Sequence, residues 1–136
     1  MRHCLIILFA CSAPAAAQWT VTNLHPDGAT SSGASGVHNG QQTGTVYFFG
    51  TGYRASLWSG TAASWVDLHP GSGDSSAFAI GAGQQVGQAD VAGLTHASLW
   101  TGTAASWVDL HPPGVSGRSF AVDVSEGVQV GTVIPG

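Results

Sequence analysis

Tryptophan, aspartate and histidine recur together at a fixed spacing in this sequence. Trp65 is followed by Asp67 and His69, and the same order returns about 42 residues later. An imidazole can serve as a general base or a metal ligand, and a nearby carboxylate can orient it. An indole offers a flat apolar face with a polar N–H edge, which suits contact with a sugar ring. The candidate ligand-binding residues are therefore Trp65, Trp107, Asp67, Asp109, His69 and His111.

The recurring histidines invite comparison with a metal site. His25, His69 and His111 each precede a proline, and imidazole is a common ligand of transition metals. Equivalent positions in successive repeats lie far apart unless they point at a common axis, so three such histidines rarely meet at one ion. We therefore expect a structural role at the ends of strands, with no metal and no cofactor.

Serine nucleophile signatures do not accompany these histidines. The sequence lacks Gly-x-Ser-x-Gly, and Gly73-Asp74-Ser75-Ser76 lies in a loop that changes between copies. The polar residues that break the repeat, such as Arg54 and Glu126, are too scattered to form one catalytic centre. We predict that the protein is not an enzyme.

Charged residues are scarce. They make up 7% of the chain, against about 25% in ordinary soluble domains. The formal net charge is −4 and lysine is absent from the sequence, so no basic patch is available for a phosphate backbone. We therefore exclude nucleic acid as a partner and expect a protein or a glycan.

The beginning of the chain has the pattern of a targeting segment. Arg2 and His3 form a polar start, residues 4–13 form an apolar stretch, and Ala15-Ala16-Ala17 forms an A-x-A cleavage site. The apolar stretch is shorter than the roughly 20 residues that a transmembrane helix needs. We predict that residues 1–17 are a signal peptide and that the protein is secreted, periplasmic or at the cell surface.

Lipid attachment is the alternative for this segment. Leu8-Phe9-Ala10-Cys11 resembles a bacterial lipoprotein processing site, with Cys11 as the lipidated residue. Cleavage after Ala17 would instead remove both Cys4 and Cys11, and the mature chain would then form no disulfide.

A sequence repeat determines the expected architecture. Leu99 to Pro112 restates Leu57 to Pro70, and Ser59 against Thr101 is the one difference. Asn23 to Pro26 begins an earlier and more diverged copy. A period of about 42 residues suits a four-stranded unit that buries its faces by stacking on its neighbours. The units are approximately residues 18–64, 65–106 and 107–136, and the third ends before a fourth strand.

Turn residues divide the best copy into short strands without room for a helix. Trp58 and Trp65 flank a short turn, as do Trp100 and Trp107, so each pair is predicted to form a cross-strand aromatic contact. The predicted strands are Trp65–Leu68, Ala77–Ile80, Gln84–Ala89 and Thr95–Trp100.

Several short motifs resemble the HAF family of predicted bacterial extracellular repeats over nearly all of the chain after residue 17. The chain departs from the family at Ser98, where the family has Phe, and at Arg54, where it has His. The resemblance implies a secreted repeat protein of β-propeller type, from a family without established catalytic residues. The motifs are Trp65-Val66-Asp67-Leu68, Ser76 to Ile80, Gly83 to Gly87 and His96-Ala97-Ser98-Leu99-Trp100.

We therefore predict an all-β fold of tandem four-stranded antiparallel repeats, forming part of a β-propeller, with a β-trefoil as the alternative. Propellers have typically 4 to 8 blades, so either several copies assemble or the chain is a piece of a longer protein. In a homo-oligomer, a lone strand from Val21 to His25 would complete the unit left unfinished at Gly136. The expected function is that of a secreted non-catalytic structural or interaction module. The alternative is a lectin-like module that binds carbohydrate through the repeat tryptophans.

Overall fold

The computed structural model of this protein describes residues 19–136. The predicted signal peptide and Cys11 lie outside the described residues. Within residues 19–136 the chain forms ten strands and two single-turn 3-10 helices, Ala62–Ser64 and Ala104–Ser106, which confirms the predicted all-β class. The strands are β1 (Ser31–His38), β2 (Gln41–Phe48), β3 (Gly52–Trp58), β4 (Val66–Asp67), β5 (Ser75–Gly81), β6 (Gln84–Val91), β7 (Leu94–Trp100), β8 (Val108–Asp109), β9 (Arg118–Ser125) and β10 (Val128–Ile134).

The strands form three antiparallel sheets in chain order. Strands β1 to β4 form the first sheet, β5 to β8 form the second, and β9 pairs with β10 alone. The Trp65 to Leu68 segment returns against β3, with Val66 opposite Leu57. It is thus the last strand of its sheet, so the sheets are offset by one strand from the repeat boundaries at 65 and 107.

The prediction of a lone strand at Val21 to His25 is wrong. Residues 19–26 have no regular secondary structure, and this segment lies beside Trp58, which is almost fully buried. The β-branched residues Thr20, Val21 and Thr22 favour an extended chain, but a strand forms only where a partner supplies its hydrogen bonds.

Two-residue turns with positive φ at both positions connect the first two strands of each sheet. Asn39 and Gly40 have φ values of 46° and 76°, and Ala82 and Gly83 have 48° and 78°. Such turns match the twist of the strands that they join, and they favour Asn followed by Gly. Ala82 and Glu126 occupy the first position in the second and third sheets and are therefore strained there.

The core lies between successive sheets. One face of the first sheet, which includes Leu57 and Leu68, packs against the face of the second sheet that carries Trp100. The opposite face of the second sheet, which includes Leu99, packs against Val124 of β9. At each interface, the face of one sheet that carries the leucines therefore packs against the opposite face of the next sheet.

A glycine on the second strand of each sheet allows the first two strands to approach closely. Gly87 pairs with Ala77 beside a bulge in β5, and a Cβ atom at Gly87 would collide with the carbonyl oxygen of Ser76. Gly44 and Gly131 hold the same place in the other sheets, facing the carbonyls of Gly33 and Phe120. The repeat of these glycines therefore reflects the close approach of paired backbones.

Candidate functional site

The two repeated aspartates hold the turns that follow them. Asp67 Oδ1 accepts a hydrogen bond from the backbone N–H of His69, and Asp109 Oδ1 accepts one from His111, both at 2.8 Å. Asn23 Oδ1 accepts from the amide of His25 at 2.9 Å in the same way. The aspartate that precedes each histidine therefore contacts its backbone and does not orient its ring.

The repeated histidine rings each join a serine to a loop carbonyl. His69 Nδ1 lies 2.8 Å from Ser75 Oγ, and its Nε2 lies 2.8 Å from the carbonyl oxygen of Gly71. Because a carbonyl only accepts, Nε2 of the neutral ring carries the proton and Nδ1 accepts from the serine hydroxyl. His111 makes the same contacts with Ser119 and with the carbonyl of Val115.

The serine hydroxyls extend this connection to the preceding sheet. Ser75 Oγ accepts from the backbone N–H of Ala55, and Ser119 Oγ accepts from that of Ala97, both at 2.9 Å. Ser75 is 0% exposed and Ser119 is 1% exposed. The serine and histidine types match those of a hydrolase, but each hydroxyl is buried and fully used in holding two sheets together. This geometry is consistent with the expected structural role.

The four repeat tryptophans fall into two classes. Trp58 and Trp100 are buried, and their Nε1 atoms have no hydrogen-bond partner among residues 19–136. Trp65 and Trp107 are half-buried, and their Nε1 atoms donate to Ser56 Oγ and Ser98 Oγ at 3.0 Å.

The aromatic ring contacts of residues 19–136 do not include Trp58 with Trp65 or Trp100 with Trp107, although Trp107 packs against the core cluster that contains Trp100. The ring of Trp65 lies instead 5.5 Å from that of Phe48, between centroids. The indole N–H of Trp65 donates to Ser56 Oγ on β3, which fixes the orientation of the ring.

A cleft of about 440 Å³ opens beside Trp65. We call it the first-unit cleft. Arg54 Nη1 donates to Asp67 Oδ2 at 2.6 Å within it, and the two side chains are 26% and 33% exposed. The lining residues are Gly28, Thr30, Phe48, Phe49, Thr51, Arg54, Trp65 and Asp67.

The second unit has a smaller cleft at the equivalent place, beside Trp107. Its volume is about 180 Å³, and Val91 and Ala92 stand where the first unit has Phe48 and Phe49. His96 replaces Arg54 and contacts Asp109 Oδ2 through Nδ1 at 2.8 Å. The His96 ring also stacks on that of His111, with centroids 4.0 Å apart and planes 13° from parallel.

The structure therefore separates the six residues predicted from the repeat. Trp65 and Asp67 line the first-unit cleft, and Trp107 lines the smaller one. Asp109 contacts His96, whose ring stacks on that of His111. His69 and His111 belong to the contacts between sheets.

Sequence reasoning did not select Phe48, Phe49 and Arg54 as site residues. The signal was present, because Tyr47-Phe48-Phe49 is an aromatic run and Arg54 breaks the repeat. Both tyrosines of the chain, Tyr47 and Tyr53, also belong to this hairpin.

Metal-ligand clusters and membrane-spanning helices are both absent from residues 19–136. No group of three or more His, Cys, Asp or Glu side chains there could hold a metal ion. Among the helices of that range, none has the length and apolar character needed to cross a membrane.

Comparison with protein-family models, with curated proteins and with solved structures gave no match to this chain. The resemblance to the HAF repeats therefore stays a prediction that rests on the short motifs themselves.

Proposed function

We propose that this protein is a secreted, non-catalytic repeat protein that acts as an interaction module. One contrast carries the proposal. The serine hydroxyls next to histidine are buried and saturated with hydrogen bonds, whereas Phe49 of the first-unit cleft is 87% exposed. A nucleophile must reach its substrate, and a binding residue must be accessible before the partner arrives.

The same proposal includes a β-propeller arrangement of the HAF type. Its support is the contact pattern of the first strand of each sheet, since β5 contacts both β1 and β9. Radial stacking brings the first strands of neighbouring blades together in this way. The face-to-face stacking of four-stranded sheets favours a propeller over the β-trefoil.

A second copy of the chain is the proposed protein partner. The outer edge of β10 has no strand partner within residues 19–136, and Val128, Val130 and Ile134 are exposed on it. Unpaired edges with exposed apolar residues favour the addition of a further strand. The N-terminal segment is not the strand that we propose for this edge, because it lies beside Trp58.

The test uses the full chain, expressed with its own leader in a bacterial host. Mass spectrometry of the exported protein should show a mature chain that begins after Ala17. The protein should bind saturably to insoluble cell-envelope or polysaccharide material in a sedimentation assay, and it should not turn over chromogenic esters, glycosides or peptides. Turnover that Ser75→Ala abolishes, or retention of the protein in the cytoplasm, would overturn the proposal.

A further inference from the structure

We infer that the first-unit cleft is a carbohydrate-binding site and that its ligand is an uncharged pyranose of a glycan. This inference rests on the proposed function as a binding module and names the chemistry of its partner.

The two units differ strongly at the cleft. Residues 57–70 and 99–112 differ at one position, so the two units share one framework. The hairpin tips between the second and third strands differ almost throughout. The first unit has aromatic side chains at Tyr47, Phe48, Phe49 and Tyr53, and the second unit has none at Asp90, Val91, Ala92 and Thr95.

Packing explains only some of these rings. Phe48 packs against Trp65, and Tyr47 lies 4.8 Å from Tyr53 between ring centroids. Phe49 is 87% exposed. Its backbone N–H donates to Thr30 Oγ1 at 3.1 Å, which holds this residue at the rim of the cleft. Phe49 lines the cleft together with Phe48 and Trp65, and a contiguous apolar surface of this kind is typical of a contact site.

The polar groups of the cleft suit a sugar. The Arg54 guanidinium has N–H donors beyond the one that Asp67 accepts, and the Asp67 carboxylate has further acceptor positions. A sugar hydroxyl both donates and accepts, so two adjacent hydroxyls can bind the ion pair from its exposed side. A proline-rich peptide offers mainly acceptors and would leave the remaining acceptor positions of Asp67 unused.

The charge of the cleft selects against acidic ligands. Arg54 is already neutralised by Asp67 at 2.6 Å, so the pair has no net charge to offer a uronate or a phosphate. The volume of about 440 Å³ lies within the range of about 300 to 1,000 Å³ that is usual for small-molecule sites. At about 180 Å³ the second-unit cleft is below that range, so we expect no equivalent site in the second unit.

The experiment is a titration of the exported full chain with defined oligosaccharides, followed by calorimetry and by tryptophan fluorescence. The neutral probes are cello-, manno- and chito-oligosaccharides, and the charged and peptide probes are an oligogalacturonate and a proline-rich decapeptide. We expect saturable binding of a neutral probe with one site per chain. Phe49→Ala and Trp65→Phe should each weaken it by about tenfold, because each removes aromatic surface that lines the cleft.

Matched controls separate the site from general effects. Trp107→Phe alters the equivalent residue of the second unit, and Val37→Ala removes exposed apolar surface elsewhere, so both should change affinity by less than about twofold. Circular dichroism would verify that each variant is folded.

Each opposing result has its own meaning. Neutral sugar binding that Phe49→Ala leaves unchanged would place the site elsewhere, and tighter binding of the oligogalacturonate or the peptide would overturn the ligand class. Saturable binding to a protein with none of the sugars bound would overturn this inference and leave the proposed function standing. Enzymatic turnover or the absence of any binding would overturn both.

Discussion

The Nδ1 atom of His69 lies 2.8 Å from the Oγ atom of Ser75, and that hydroxyl is completely buried. In many hydrolases such a contact prepares a nucleophile. Here the hydroxyl also accepts the amide N–H of Ala55 from the neighbouring sheet. The contact therefore connects two sheets, and the repeat of His and Ser follows from the repeat of that interface.

Removing this hydroxyl should destabilise the fold. Ser75→Ala leaves the Ala55 N–H and the Nδ1 atom of His69 without their partner, and an unsatisfied buried polar group costs about 1–3 kcal/mol. Urea unfolding should show a fall of that size in the free energy of unfolding. Ser72→Ala, at an exposed loop position, is the control, and equal stability of the two variants would contradict the assigned role.

A turn substitution should have the opposite effect. Ala82 has a φ of 48°, where Asn39 stands in the first unit with a φ of 46°. Because asparagine tolerates this region better than alanine, Ala82→Asn should raise the free energy of unfolding by about 1 kcal/mol. The reciprocal change, Asn39→Ala, should lower it by a similar amount. Thermal denaturation of both variants checks the prediction, and shifts of the same sign would refute it.

The close approach of β5 and β6 should make Gly87 intolerant of a side chain. A Cβ atom there would collide with the Ser76 carbonyl, so Gly87→Ala must separate two paired backbones. We expect a loss of at least about 2 kcal/mol in chemical denaturation. Gly33→Ala is the matched control, since nothing lies within 4 Å of its added carbon. A tolerated Gly87→Ala would mean that the strands can move apart freely.

The charge of the first-unit cleft can be changed while the hydrogen bond between residue 67 and the His69 amide is kept. Asp67→Asn keeps an oxygen for the His69 amide, as Asn23 does for His25, but it leaves Arg54 without its counter-charge. Stability should change by less than about 1 kcal/mol, because the pair is partly exposed. Affinity should shift from neutral sugars toward the oligogalacturonate. Titrations of both probes measure this, with Asp109→Asn as the control, and an unchanged preference would contradict the charge argument.

The repeat, the turn residues and the prolines predict most of the fold. They locate the four strands β4 to β7 between residues 65 and 100, because Gly and Pro mark where each strand ends. They do not predict β1, since Ser31 to Gly36 contains small and polar residues without alternation. That segment becomes a strand because β2 offers it a complete partner edge. The first-unit cleft was also missed, because the repeat directs attention to shared residues, and this cleft is built from those that differ.

The stacking of the sheets has a direction. The face of one sheet that carries the leucines contacts the opposite face of the next sheet. At both boundaries, a serine hydroxyl of the later sheet accepts a backbone N–H of the earlier one. The two ends of such an array therefore differ, as those of a polar filament do, because one end offers the backbone N–H and the other offers the serine oxygen. Gene duplication of one unit would insert a block that already fits both of its neighbours, so the array can lengthen without the evolution of a new interface.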